Sequence, residues 1–193
     1  ADIQRFFAVK KLQRGHASAR ELRRFYDEAR VVVTLNHRAV CHVFDVGVVD
    51  DEHYLAMELI EGVTLTRALE ATRLEQRLAL YVVDEMLDAL DYAHRHRDPA
   101  TGEPMQIVHR DVSPQNVMLS FQGGVKLIDF GLVSSTLKQE RTVGGVVVGK
   151  LEYMSPEQAR GEPLDARADV YAAAIIAFEL LSGRRFYEGL SKS

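Results

Sequence analysis

Residues 109–116, HRDVSPQN, place a carboxylate and a carboxamide five positions apart in a loop between two apolar segments. Asp111 could accept or orient the proton of a hydroxyl group, and Asn116 offers an oxygen atom to Mg²⁺. Taken alone, an Asp–Asn loop is more often turn chemistry than a reaction centre. The loop therefore indicates a reaction centre only if other residues suited to the same reaction occur elsewhere in the chain.

Two further segments supply such groups. Asp129 begins the tripeptide DFG directly after a strand-like run, and a carboxylate at a strand end suits a hard cation that also holds phosphate oxygens. Lys10 ends the strand-like run FAVK, and Glu28 lies in the helical pattern that follows. A helix packed on that strand can bring the Glu28 carboxylate to the Lys10 ammonium. Alone, a strand lysine and a helix glutamate are mostly surface residues, and Asp-Phe-Gly is a weak signal.

Together these groups match the needs of phosphoryl transfer. The charge of a triphosphate must be neutralised, a metal ion must be held, and a hydroxyl must lie in line with the γ-phosphorus. A fourth segment, residues 149–157 (GKLEYMSPE), follows in the same order, with Asp169 about a dozen residues later.

The elements before residue 58 read as strand, helix, strand, strand. A strand is predicted over residues 6–12, and Ser18 with Glu21 forms a capping-box pattern at the start of a helix. Strand-like runs at residues 43–49 and 54–60 are joined at Asp50-Asp51 like a hairpin. This part of the chain is expected to form a small sheet with one helix.

After Gly62 the pattern becomes mainly helical. A long helix is predicted over residues 74–97, and two short strands over residues 117–119 and 125–128. A last helix over residues 169–181 is apolar nearly all round, so we expect it to be buried. The inner side of the long helix is predicted to carry Leu78, Val82, Met86, Ala89, Leu90 and Ala93.

The order, spacing and context of the four segments resemble the eukaryotic-type protein kinase family, in its bacterial serine/threonine branch. The resemblance implies an α+β, two-lobed kinase fold with a small antiparallel-sheet N-lobe carrying one helix and a larger, mainly helical C-lobe. Residues 1–57 would form a partial N-lobe, residues 58–62 the hinge, and residues 63–193 the C-lobe.

The resemblance also assigns roles and the cofactors ATP and Mg²⁺. Lys10 would pair the α- and β-phosphates, Glu28 would hold Lys10, and Asp111 would be the catalytic base. Asn116 and Asp129 would bind Mg²⁺.

Around the adenine, the family pattern places Ala8 and Met118 on its two faces and Met57 as the gatekeeper. The backbone from Glu58 to Ile60 would form hydrogen bonds with the adenine edge. His109 and Phe130 are expected to pack in the core, and Asp169 to anchor the catalytic loop from the last helix.

Two positions depart from the family pattern. Ser113 stands where a lysine is usual, and Lys150 stands where a threonine is usual. In the family both positions approach the catalytic aspartate and the γ-phosphate. Our hypothesis is that Lys150 supplies the cation missing at Ser113, the alternative being a Lys150 side chain in solvent.

The resemblance implies a protein substrate with a Ser or Thr hydroxyl. The stretch that begins at Leu132 and ends at Gly149 corresponds to the activation segment and is expected to be a target of autophosphorylation. Thr142 is the preferred site there, among four candidate hydroxyls that also include Ser134, Ser135 and Thr136. An unmodified flexible loop is the alternative.

The amino-acid composition limits which partners and which cellular location the chain is expected to have. The net charge of −4 argues against a nucleic-acid partner, and no apolar run approaches the roughly 20 residues of a membrane span. Cys41, the one cysteine, reads as a buried, inert thiol and suits a reducing compartment. We expect a cytoplasmic location, either alone or as the cytoplasmic domain of a larger membrane-tethered protein.

The chain is expected to be a fragment. By the family pattern a glycine-rich phosphate loop would precede Phe7 and further C-lobe helices would follow Ser193, so Glu157 would be a poorly paired buried charge. Weak stability and weak activity of the fragment are expected.

Two functions remain open: an active serine/threonine kinase, or a pseudokinase that acts as a nucleotide-binding or scaffolding module. The full set of polar site residues favours the enzyme. Tyrosine specificity is less favoured, because residues 113–116 are closer to the serine/threonine form.

Overall fold

The computed structural model describes residues 6–11, 19–130 and 151–188, apart from the side chains of residues 19–21, 24, 27 and 28. Among these residues no helix is long and apolar enough to cross a lipid bilayer.

The N-terminal part is a three-stranded antiparallel sheet with one helix. Strands β1 (Phe7–Lys11) and β2 (Val43–Val49) both pair with the central strand β3 (Glu52–Glu58). Helix α1 (Ala19–Val33) packs on this sheet through residues spaced at the helical period, and its buried members are Ala29 and Val32. The predicted order of strand, helix, strand and strand is confirmed.

The hairpin between β2 and β3 turns at two residues with positive φ. Asp50 has φ 50° and Asp51 has φ 60°, and Val49 pairs directly with Glu52. This is the geometry of a type I′ turn, whose twist matches that of the flanking strands. The predicted strand over residues 54–60 therefore lies two residues earlier along the chain than expected.

The C-terminal part begins with a second small sheet and is otherwise helical. Strands β4 (Gly62–Thr64), β5 (Val117–Ser120) and β6 (Val125–Leu127) are antiparallel in that order. The helices are α2 (Leu65–Ala71), α3 (Gln76–His94), α4 (Pro156–Arg160) and α5 (Ala166–Ser182). This two-part architecture is that of the two-lobed fold predicted from the sequence.

Helix α3 is the centre of the C-terminal core, with α5 and β6 packed against it. Its buried stripe contains Val82, Met86 and Leu90, as predicted. Leu78 is 44% exposed, so its predicted place on the inner side is wrong. The stripe runs back to Ala79 instead, which is fully buried.

Helix α5 is buried on one side only. Ile175, Ile176 and Leu180 are in the core, whereas Val170 and Phe178 are 52% and 44% exposed. The expectation that this helix is buried all round is therefore wrong for the face directed away from α3. The apolar composition of α5 alone could not distinguish a helix packed on both sides from a helix packed on one side.

Candidate active site

Asp111 is fixed by Asn116 within one loop. The Asn116 amide nitrogen, Nδ2, donates hydrogen bonds to the Asp111 main-chain oxygen at 2.7 Å and to Oδ2 of the Asp111 carboxylate at 2.8 Å. A 3₁₀ turn at Pro114–Asn116 brings the two side chains together, and Asn116 is buried. Because the amide nitrogen serves Asp111, the other amide atom is an oxygen, which is the type of ligand that Mg²⁺ prefers.

The backbone before Asp111 is held by Asp169 of α5. The Asp169 carboxylate accepts hydrogen bonds from the amides of His109, at 2.7 Å, and Arg110, at 2.8 Å, and lies 2.8 Å from His94 Nε2. Asp169 is 1% exposed, so these bonds satisfy a charge that burial would otherwise penalise. The predicted role of Asp169 as the anchor of this loop is confirmed.

His109 connects the loop to the end of β6. Its Nε2 donates to the Ile128 oxygen at 3.0 Å, its Nδ1 accepts from the Asp111 amide at 3.3 Å, and its ring lies 4.5 Å from that of Phe130. Complete burial lowers the pKa of His109, so the ring is neutral. Both aromatic residues belong to the core, as predicted.

The end of β6 brings Asp129 close to this loop. The Ile128 amide donates to the Asn116 main-chain oxygen at 3.0 Å, so the two predicted metal ligands lie on hydrogen-bonded backbone segments. Asp129 has φ 62°, a conformation that L-residues seldom adopt outside turns and functional sites.

The Asp129 carboxylate forms an ion pair across the two parts of the fold. Lys10 Nζ, on β1, lies 2.8 Å from Asp129 Oδ1. Lys10 was predicted to pair with Glu28 instead. Glu28 lies on α1, but its side chain is outside the described residues, and the Lys10–Glu28 pair stays a prediction.

The residues predicted to surround the adenine lie in both sheets and in the segment that connects them. Ala8 is directly opposite Met57 in the β1–β3 ladder, and it shares a face of β1 with Lys10 because side chains alternate along a strand. Met118 is on β5, in the other sheet, and Ile60 lies between the two sheets. The Glu58 amide donates to the His42 oxygen at 2.8 Å and is therefore already used. The predicted hydrogen bond between Glu58 and the adenine would have to involve the Glu58 main-chain oxygen.

Two site-forming contacts were missed in the sequence. Lys126 Nζ of β6 lies 2.7 Å from the Glu58 carboxylate, which links the predicted hinge to the strand that precedes Asp129. Gln158 of α4 donates to the Arg110 main-chain oxygen at 2.7 Å. The sequence SPEQ shows Gln158 as the fourth residue of a capping-box pattern. The sequence gives no signal for its contact with the distant loop.

The predictions for residues 134–150 are not tested by the structure, and the prediction for Glu157 on α4 is wrong. Lys150, Thr142, Ser134, Ser135 and Thr136 lie outside the described residues. Glu157 lies on α4, a short surface helix without a buried residue, and is partly exposed. Its predicted state as a buried charge is therefore wrong.

Ser113 is 2% exposed, and its Oγ has no hydrogen-bond partner among the residues that the structure describes. Burying a hydroxyl group without a hydrogen-bond partner costs free energy, so the Ser113 side chain destabilises the folded state at this position.

The sequence profile of the family described as "Protein kinase domain" matches residues 1–193. The serine/threonine-protein kinase PrkC of Bacillus subtilis is 35% identical over 191 residues, which are 98% of this chain and 28% of that protein. The serine/threonine-protein kinase PknL of Mycobacterium tuberculosis is 38% identical over 189 residues, which are 97% of this chain and 45% of that protein. The tyrosine-protein kinase MasK of Myxococcus xanthus is 39% identical over 163 residues, which are 82% of this chain and 25% of that protein.

A solved structure has the same fold. The crystal structure of the M. tuberculosis PknI kinase domain superposes with a TM-score of 0.72 at 29% identity, and the match covers 97% of this chain and 66% of that one. The chain spans less than half the length of the three curated relatives named above.

Proposed function

Because the chain belongs to the protein kinase domain family, we propose that it is the catalytic domain of a protein serine/threonine kinase, which transfers the γ-phosphoryl group of ATP to Ser or Thr hydroxyls of proteins. The observation that carries this proposal is the joining of two segments at one place: the Asp111–Asn116 loop is bonded to the end of β6, where Asp129 meets Lys10 from the other lobe.

In this proposal each of these side chains has a separate task. Asp111, oriented by Asn116, accepts or orients the proton of the substrate hydroxyl. Lys10 neutralises phosphate charge, for which its ammonium exchanges the Asp129 carboxylate for phosphate oxygens. Ala8, Met57 and Met118 line the adenine site, together with the hinge backbone at Glu58 and Ile60.

The donor set fits a magnesium ion. Asp129 and Asn116 present a carboxylate and an amide oxygen on adjoining backbone segments, and Mg²⁺ in nucleotide enzymes usually takes one or two such ligands beside phosphate oxygens. When bound, the ion would screen the charge that develops on the transferred phosphoryl group.

We keep the proposal that Lys150 provides the cation that the usual lysine provides elsewhere in the family. Because Ser113 carries no charge, a cation near Asp111 would have to come from another residue. Autophosphorylation between residues 132 and 149, with Thr142 as the preferred site, belongs to the same proposal.

The first experiment measures Mg·ATP-dependent phosphate incorporation into the protein itself and into a generic basic protein. We expect incorporation in the wild type, none in Asp111→Asn, and a strong loss in Lys150→Thr with ATP affinity retained. Arg160→Ala, which removes an exposed ion pair on α4, is the matched control.

Phosphoamino-acid analysis then decides the hydroxyl class, since one relative is named a tyrosine kinase. Phosphotyrosine alone would overturn the serine/threonine assignment. ATP binding without incorporation would favour a pseudokinase, and normal turnover of Lys150→Thr would remove Lys150 from the site.

A further inference from the structure

The side chain of Gln158 joins two structures that are far apart in the sequence. Its Oε1 accepts a hydrogen bond from the Ser155 main-chain amide at 3.2 Å, and the main-chain amide of Gln158 donates to Ser155 Oγ at 3.4 Å, which together cap α4. The remaining polar atom of the side chain, Nε2, donates to the Arg110 main-chain oxygen at 2.7 Å. The carboxamide thus links the start of α4 to the residue next to Asp111.

Arg110 needs external contacts to keep its conformation. Its φ is 68°, and an L-residue in this region costs about 1–2 kcal/mol relative to ordinary backbone. Its amide is held by Asp169 at 2.8 Å and its oxygen by Gln158 at 2.7 Å, so each side of the strained residue is bound by a different helix. Losing either bond removes one of the two restraints on the peptide that leads into Asp111.

A glutamine is the side chain that fits both ends of this link. The Ser155 amide requires an acceptor and the Arg110 oxygen requires a donor, and a carboxamide provides one of each. A glutamate would place a second acceptor against the Arg110 oxygen, and an apolar side chain would leave both backbone groups without this partner.

We propose that Gln158 is a positioning residue for phosphoryl transfer, acting through the Arg110 carbonyl to hold Asp111 in its reactive orientation. The proposal rests on the proposed kinase function. It makes the orientation of Asp111 depend on the hydrogen bond from Gln158 Nε2 to the Arg110 oxygen.

The kinetic test compares Gln158→Met with Ser155→Ala. The first variant removes both the bond to Arg110 and the Oε1 acceptor of the cap at nearly constant volume, whereas the second removes only the Oγ acceptor of the cap. We expect Gln158→Met to lower kcat by about tenfold to hundredfold with the KM for Mg·ATP within twofold of wild type. Ser155→Ala is expected to lower the thermal midpoint while kcat stays within twofold.

Two kinetic results would overturn the proposal. One is wild-type kcat in Gln158→Met. The other is a parallel fall of kcat and thermal midpoint in both variants, which would reduce Gln158 to a capping residue.

A second measurement does not depend on activity. Hydrogen exchange of the Arg110 and Asp111 amides is expected to quicken in Gln158→Met by at least tenfold, while the interior amides of α5 keep their wild-type rates. If the wild type transfers no phosphate, the proposed function fails, and exchange alone decides whether Gln158 holds the loop. Unchanged exchange at both amides would refute the link.

Discussion

The Asp169 carboxylate accepts three hydrogen bonds near the proposed reaction centre. It receives two main-chain amides through different oxygens, and its Oδ2 also meets His94. An asparagine has only one oxygen, so Asp169→Asn would place an NH₂ group against a backbone donor in a fully buried site.

We therefore expect Asp169→Asn to lower the free energy of unfolding by about 1–3 kcal/mol and kcat by at least roughly tenfold. Urea denaturation and steady-state kinetics measure the two effects. Asp165→Asn is the control, because Asp165 caps the same helix at the surface and asparagine caps equally well. Equal losses in the two variants would contradict the special role of Asp169.

At the scale of elements, the β2–β3 hairpin has a turn whose backbone suits its second residue poorly. Both Asp50 and Asp51 have positive φ, and type I′ turns favour glycine at the second position. Asp51→Gly should raise the free energy of unfolding by about 0.5–1 kcal/mol, because the relief of backbone strain exceeds the added entropy of glycine.

The reverse change provides the control. Gly123, in the β5–β6 turn, has φ 90°, and a Cβ added there would meet no atom within 4 Å. Gly123→Ala should therefore destabilise the protein through the backbone alone, by about 1 kcal/mol. Thermal and urea unfolding of the two variants compare the turns, and a destabilising Asp51→Gly would contradict the assignment of strain.

Most of the elements could be predicted from periodicity and turn residues. The hairpin at Asp50-Asp51 and the buried stripe through Val82, Met86 and Leu90 follow from local patterns. Contacts between remote segments could not be predicted this way, as with Lys126–Glu58 and Gln158–Arg110, because they depend on tertiary packing. The candidate site could be predicted because its residues occur in an order that resembles the family pattern.

For the whole molecule, ion pairs tie the two lobes to each other. Lys10 of β1 pairs with Asp129, and Glu58 at the hinge pairs with Lys126. Arg38, after α1, pairs with both Glu85 and Asp88 of α3. The Asp129 carboxylate is therefore already paired with a cation of the other lobe when no ligand is bound.

Mg·ATP held at the proposed site by Lys10 and Asp129 would stabilise both lobes together. At about 100 times its dissociation constant, Mg·ATP is expected to add about 2.7 kcal/mol to the free energy of unfolding. Thermal unfolding with ATP, with and without Mg²⁺, measures this gain. Asp129→Asn should abolish the difference between the two conditions, and a wild-type shift that ignores Mg²⁺ would contradict the assigned metal ligand.

Cys41 lies where the lobes meet. Its amide donates to the Leu127 oxygen at 2.8 Å, its sulfur approaches the Glu58 oxygen at 3.8 Å, and burial raises its pKa to about 12. At neutral pH very little of the sulfur is then present as the thiolate, which is the form that reacts with alkylating reagents. Since the chain has one cysteine, alkylation of this single sulfur is expected to be slow in the folded protein and to become faster when the contacts around Cys41 open.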